Sequence, residues 1–365
     1  MKVSFVNYGL QYKSLKKEID KAIKKVLAGG DLILREDVDE FEEKLAKLVG
    51  TKCAVSLNSG TDALFLSLKV LGIGKGDQVI TVSHTFVASI SAIVQAGASP
   101  VLVDVKNDYL IDESQIEEAI TKKTKAIIPV HYNGRMCEMD KIMKIAKKHN
   151  LHVIEDAAQG LGSSFKRKRA GSLGATGCFS FYPAKILGCF GDGGAVTTNS
   201  AKIAEEIRLL RDHGQKTKTR IVEFGWNSRL DNLQAAVLNV KIKHLPDWIK
   251  RRRDMAKKYD KGLSGVGAVK LPAAPVEKPH YDVFQNYVIR AQKRDKLYRY
   301  LKEKGIETLI KDPIANHLQP GLGLSRFKLP LTENLADEVI SLPMYPELKN
   351  SQIDYVIKAI RDFYA

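Results

Sequence analysis

Lys185 stands out among the many lysines of this chain because of where it falls. It ends the apolar stretch Cys178-Phe-Ser-Phe-Tyr-Pro-Ala-Lys185 and leads into Ile-Leu-Gly-Cys-Phe-Gly-Asp-Gly-Gly194, so a strand-like run precedes it and a glycine-rich turn follows. A protonated, solvated lysine is a poor nucleophile. Apolar surroundings depress its pKa and make it competent for Schiff-base chemistry. Alone it carries little weight, and the residues upstream decide whether that chemistry has a setting.

The segment Leu151-His-Val-Ile-Glu-Asp156-Ala-Ala-Gln159-Gly160 reads as a short buried strand with a carboxylate pair at its C-terminal end. In open α/β sheets ligands bind at that end. An acid there can hold a pyridine nitrogen protonated, which is the partner pyridoxal phosphate needs as an electron sink. Asp156 before Ala157-Ala158 equally fits a helix N-cap. Further upstream, Ser56-Leu-Asn-Ser-Gly60-Thr61 passes from a strand through small residues into an apolar-periodic helix. Free amides at a helix start, a glycine and a hydroxyl make a phosphate cradle, to which Ser180 could add a second hydroxyl.

Lysine, acid and cradle stand in the order of a fold-type I pyridoxal phosphate enzyme. Together with Gly76-Asp-Gln-Val-Ile-Thr81, Thr85-Phe86-Val-Ala, Pro129-Val-His-Tyr-Asn-Gly134, Arg211-Asp-His-Gly214, Gly225-Trp-Asn-Ser-Arg-Leu-Asp231 and His317-Leu-Gln319, the chain resembles the nucleotide-sugar aminotransferases of the DegT/StrS type over nearly its whole length. The resemblance implies that Lys185 anchors the cofactor covalently and moves the proton, and that Asp156 faces the pyridine nitrogen. It further implies that Gln159 bonds the phenolic oxygen and Phe86 stacks on the ring, although core packing suits Phe86 as well. Gly60, Thr61 and Ser180 would hold the phosphate, with Asn227 donated by the partner subunit, so the expectation is a homodimer with shared active sites. Asn227 also reads as an ordinary turn residue, and Arg229 as its less certain companion.

The implied reaction moves an amino group from L-glutamate to a nucleotide-linked keto-sugar. Ser83-His84-Thr85-Phe86 and the late His317 resemble members acting at a 3-keto hexose. Amination at C4 or of a keto-cyclitol is the alternative, and a non-catalytic cofactor-binding regulator is a third reading. Related sugar dehydratases carry histidine in place of the lysine. Three departures bear on the substrate end: Arg35 where the family often has glycine, Lys311-Asp312-Pro313 where it often has His-Tyr-Pro, and Phe284-Gln-Asn-Tyr287 where it often pairs histidine with tyrosine. His317 and Arg35 are accordingly the expected substrate contacts.

The elements that must position these residues follow a βα alternation. Strands are expected at 78–82, 100–103, 126–130, 151–154, 177–181 and 194–198, and helices around Val38–Leu48, Ser114–Ile120 (from the capping-box pattern Ser114-Gln-Ile-Glu117), 139–149 and 232–244. The fold class is α/β: a large domain, 1–245, with a mainly parallel sheet flanked by helices, then a smaller α+β C-terminal domain, 246–365, divided at Leu245-Pro246. At 365 residues the chain suits two unequal cores. The net charge of +16 raises nucleic-acid binding, but the lysines are scattered along helix faces among acids, so a solvated surface is expected and no nucleic-acid partner. No run approaches a membrane span, and Cys53, Cys137, Cys178 and Cys189 lack metal-like pairing. The expectation is a reduced, cytoplasmic protein with no membrane partner.

Overall fold

The computed structural model describes residues 1–365. Its centre is a seven-stranded sheet assembled from β1 (Cys53–Leu57), β2 (Gln78–Val82), β3 (Ser99–Val103), β4 (Thr124–Ile127) and β5 (His152–Asp156) and, after a two-residue hairpin of β6 (Ser164–Phe165) and β7 (Lys168–Arg169), β8 (Thr176–Ser180) and β9 (Gly194–Thr198). The spatial order is β1-β9-β8-β5-β4-β2-β3. Pairs β2–β3, β2–β4, β4–β5 and β5–β8 are parallel, and β9 alone runs against its neighbours. The C-terminal ends of β1, β2, β5 and β8 therefore share one edge.

Both faces of the sheet are covered, which is why its strands read as continuous apolar runs rather than alternating ones. Successive residues feed opposite layers. Ile80, Val153, Phe179 and Ala195 join one core with α2 (Glu36–Val49), α5 (Met139–Lys148) and α7 (Asn232–Lys241). Val79, Ile154, Cys178 and Val196 join the other, under α3 (Gly60–Val70), α4 (Ala88–Gln95) and α6 (Ala201–Leu210). α1 (Tyr8–Gly29) lies outside, against α7. A hairpin of β10 (Gln215–Thr217) and β11 (Arg220–Ile221) leaves the body after α6.

A further core forms around the antiparallel sheet of β12 (Val269–Lys270), β14 (Tyr287–Ala291) and β15 (Val339–Leu342), packed on α8 (Leu245–Leu263), α9 (Arg294–Glu303) and, after α10 (Pro330–Glu338), α11 (Asn350–Tyr364). β13 (His280–Tyr281) instead pairs with β6, tying the late chain to the early one. Leu245, Trp248 and Ile249 of α8 pack in the first core, whereas Met255, Ala256, Tyr259 and Leu263 pack with the late sheet, as does Val3. No helix is long and apolar enough to cross a membrane.

Two expected helices differ. Residues 114–120 form no α-helix: a 3₁₀ turn, Glu113–Gln115, gives way to further turns closed by three-residue bonds such as Ala119 N to Ile116 O. Asp112, not Ser114, is the cap, accepting from Ser114 N at 3.0 Å, and Glu117 pairs with Lys148 and His149 instead of closing a capping box. The helix expected over 232–244 is α-helical only to Lys241, with a 3₁₀ turn at Ile242–His244 before α8. Pro246 sits in the first turn of α8, where its missing N–H costs nothing.

Candidate active site

The strand alternation separates the carboxylate pair at the end of β5. Glu155 points into the first core, where it meets His131 Nε2 at 2.9 Å and accepts from the amides of Gly171, Leu173 and Gly174. Burial alone would raise its pKa, but His131 and these amides outweigh it and hold the carboxyl below its ordinary value. Asp156 points the other way, toward the sheet edge. Its Oδ2 accepts from Ser89 Oγ at 2.7 Å and its Oδ1 from Ala158 N at 3.2 Å. Ser89 in turn meets Thr85 Oγ1 at 3.0 Å, so α4 anchors the acid to the loop that carries Phe86. Phe86 is more than half exposed, at 57%, an unusual placement for phenylalanine.

Lys185 lies on the turn after β8, held by its own backbone bond to Tyr182 O at 2.8 Å. Gln285 clamps this turn from the late chain, accepting from Ile186 N at 2.7 Å and donating to Ala184 O at 2.8 Å. Beneath it Lys241 donates to Gly188 O at 2.6 Å and sits 4.2 Å over the Phe190 ring. The Lys185 ammonium itself makes no hydrogen bond or ion pair. Burial pushes its pKa down to about 8, the nearby charge of Lys311 adds to the fall, and Asp156 opposes it.

The cradle forms where α3 meets β8. Ser59 caps α3 by accepting from Asp62 N, leaving the earlier amides of the first turn free. A Cβ on Gly60 would stand 2.7 Å from Ser180 Cβ, so only glycine lets the helix start come this close to the strand end. Gln159 closes the opposite side: its Oε1 accepts from Asn133 N at 2.9 Å and Asn286 Nδ2 at 3.3 Å, which turns its amide N–H groups toward the remaining space. Gly134 makes this meeting possible, since its φ is +92° and a Cβ there would meet Gln285 N at 2.7 Å.

Gly60 with Thr61 meets Ser180, Asp156 is tied through Ser89 to the Phe86 loop and followed by Gln159, and Asp156's charge reaches Lys185, all at the C-terminal edge of the sheet, the candidate cleft. The donor set there fits pyridoxal phosphate: a cradle of amides and hydroxyls, a buried carboxylate, an amide N–H and a desolvated amine. Asn227 stands apart. It is exposed, while its neighbour Ser228 is buried and bonds Asp62 and Asn58 at the cradle's outer side. Two expected substrate contacts are placed otherwise. His317 is wholly buried, with Nδ1 2.8 Å from Ser83 Oγ and Nε2 3.1 Å from Glu333 Oε1, so neither ring nitrogen is left for a ligand. It fastens the 83–86 loop through Ser83. Arg35 is exposed, pairs with Asp31 at 3.2 Å, and contacts none of the cleft residues.

Sequence reasoning missed Ser89, although it follows the quoted Thr85-Phe86-Val-Ala directly and its helical position was the available signal. Gln285, Asn286 and Lys311 fall in the two late segments marked as departures, but the partners they meet lie about a hundred residues or more away and could not be read locally.

Compared with known proteins, residues 13–361 match the model of the DegT/DnrJ/EryC1/StrS aminotransferase family. The chain is 43% identical to a pleiotropic regulatory protein of Geobacillus stearothermophilus, covering 100% of this chain and 99% of that one. It is 41% identical to the dTDP-3-amino-3,4,6-trideoxy-alpha-D-glucose transaminase of Streptomyces venezuelae, covering 99% and 96%. Among solved structures, S. venezuelae DesV superposes with a TM-score of 0.96 at 40% identity, covering 100% of this chain and 98% of that one. A Bacillus subtilis structure with bound cofactor PMP superposes with a TM-score of 0.90 at 28% identity, covering 99% and 83%.

Proposed function

The chain belongs to the DegT/DnrJ/EryC1/StrS aminotransferase family and is a pyridoxal phosphate-dependent aminotransferase; on that premise we propose that it moves an amino group from L-glutamate to the 3-keto carbon of a nucleotide-linked hexose, as a homodimer with shared sites. The observation that carries the reading is the desolvated Lys185 between Asp156 and the Gly60–Ser180 cradle. The transaminase named for a 3-amino sugar supports the C3 position.

When bound, pyridoxal phosphate supplies an electron-poor ring that takes up the electrons freed by proton loss from the donor. The protein's own residues do the rest. Gly60, Thr61 and Ser180 would hold the phosphate. Asp156, kept in place by Ser89 and Ala158, would keep a proton on the ring nitrogen. Gln159 would offer an N–H to the phenolic oxygen, and Phe86 an aromatic face to the ring. Lys185 anchors the cofactor, and its amine, with a pKa near 8, takes a proton from the donor Cα and returns one on the far side of the exchange. Asn227 completes the cradle of the neighbouring subunit. The exposed run Ile221, Val222, Phe224 (96%) and Trp226 beside it supports an apolar contact with a second copy.

The name of the Geobacillus relative favours a regulator as second reading, but a regulator has no use for a lysine tuned toward proton transfer. The test is a set of half-reactions: loss of the cofactor's visible absorbance with L-glutamate, then its return with a panel of nucleotide keto-sugars. Return with 3-keto but not 4-keto substrates is the expected result. No loss with any amino donor would leave the regulator reading.

A further inference from the structure

The segment that departs from the family pattern, Lys311-Asp312-Pro313, reaches the cleft. Lys311 places its ammonium 4.6 Å over the ring of buried Tyr132. No carboxylate lies within ion-pair distance of it, and it makes no hydrogen bond. Its neighbour Asp312 is turned to the phenol instead, accepting from Tyr132 Oη at 3.3 Å. His84 stands edge-on to the same ring, 5.0 Å between centroids, and burial with Lys311's charge depresses its pKa to about 3, so it is neutral there. Lys185 feels the charge of Lys311, and Lys311 in turn feels those of Asp312 and Asp156, which puts it near the reacting lysine.

Two ammonium groups therefore face one region whose near carboxylates are both engaged already, Asp156 by Ser89 and Ala158 and Asp312 by the Tyr132 phenol. A desolvated cation with a bare tip is costly unless an anion completes it. The phosphate has its own cradle at the start of α3, against Ser180, so the missing anion is a different group. Resting on the aminotransferase reading, we propose that Lys311 is a carboxylate subsite, binding a carboxylate of one of the two substrates. Two sources have this chemistry: the α-carboxylate of the amino donor, or a carboxylate on the ring of an acidic keto-sugar.

The test compares wild-type holoenzyme with Lys311→Met and Lys311→Arg. Affinity for glutarate is measured by calorimetry, the glutamate half-reaction by rapid-mixing absorbance, and the reverse half-reaction with two nucleotide 3-keto-sugars differing only in a C6 carboxylate or hydroxymethyl. A charge-assisted contact predicts a loss of about 10–100-fold in Lys311→Met, with Lys311→Arg within a few-fold of wild type. A loss confined to glutamate and glutarate assigns the subsite to the donor; a loss confined to the acidic sugar assigns it to the acceptor. Unchanged constants for all three in a folded Lys311→Met protein overturn the proposal. An additional readout, the pH midpoint for amine labelling of Lys185 in cofactor-free protein, should rise from about 8 once the like charge is gone. If wild type aminates no keto-sugar, the functional reading fails, while glutarate binding still decides whether Lys311 receives a carboxylate.

Discussion

The cleft has a floor and a wall made by different means. The floor comes from strand ends and the helix start of the large sheet: Gly60, Asp156, Ser180 and Lys185 each fall where a parallel strand runs out. The wall comes from the late chain: Gln285 and Asn286 ahead of β14, and Lys311-Asp312 after α9. Floor residues have local contacts of their own, as Ser59 caps its own helix and Asp156 takes the amide of Ala158, besides the longer-range bond from Ser89. Wall residues are bound only across the fold, to partners such as Ala184, Gln159 and Tyr132. The floor can thus serve the shared cofactor chemistry while the wall varies with the substrate. That division teaches where this protein's individuality lies.

The sharpest way to break the division is at the floor. Lys185→Ala removes the amine that moves the proton, and turnover should fall by at least about 10²–10⁴-fold with every donor and acceptor, while cofactor still binds through the cradle. Near-normal steady-state transamination would end the assignment. Asp156→Asn keeps shape and Ser89's donor but loses the charge, so the glutamate half-reaction should slow by about 2–4 kcal/mol in barrier, roughly 30–1,000-fold. An unchanged rate would reduce Asp156 to a cap on the turn after β5.

Sharing between subunits is the next level. Asn227→Ala should be severely impaired by itself, and near-normal activity would reduce Asn227 to a turn residue; it is then mixed with Lys185→Ala under conditions of subunit exchange. If Asn227 serves the neighbouring cradle, half the sites in a mixed dimer carry neither lesion and activity returns; no recovery would assign Asn227 to its own chain.

Gln285→Leu probes the wall at the point where it holds the floor. It abolishes both bonds to the Lys185 turn, and the expected cost is about 1–3 kcal/mol in stability with a fall in kcat rather than a rise in KM. A KM change alone would mean that Gln285 meets substrate instead of positioning the lysine turn.

The contrast also explains what could be read from the chain. Most expected strands fall within a residue or two of those found, because apolar runs bounded by turn residues are local signals. The helix expected at 114–120 failed because a local motif, Ser-x-x-Glu, was outcompeted by Asp112 as cap and by Lys148 and His149 for Glu117. His317 was legible as a motif but not as a buried residue, since Ser83 and Glu333 reach it only in the folded chain.

The sequence by itself made most of the sheet legible and marked Lys185, Asp156 and the Gly60–Thr61 and Ser180 segments as candidates, because each sits in or beside a segment whose own pattern favours a strand end or a helix start. Tertiary structure alone decided that Glu155 and Asp156 part company, that Gln285 clamps the lysine turn from a hundred residues away, and that Lys311 comes to lie beside Lys185. The physical reason is the same in each case. Which face a side chain takes, how far it is desolvated and which charge it meets depend on what packs against it, and burial with Lys311 nearby brings Lys185 to a pKa of about 8.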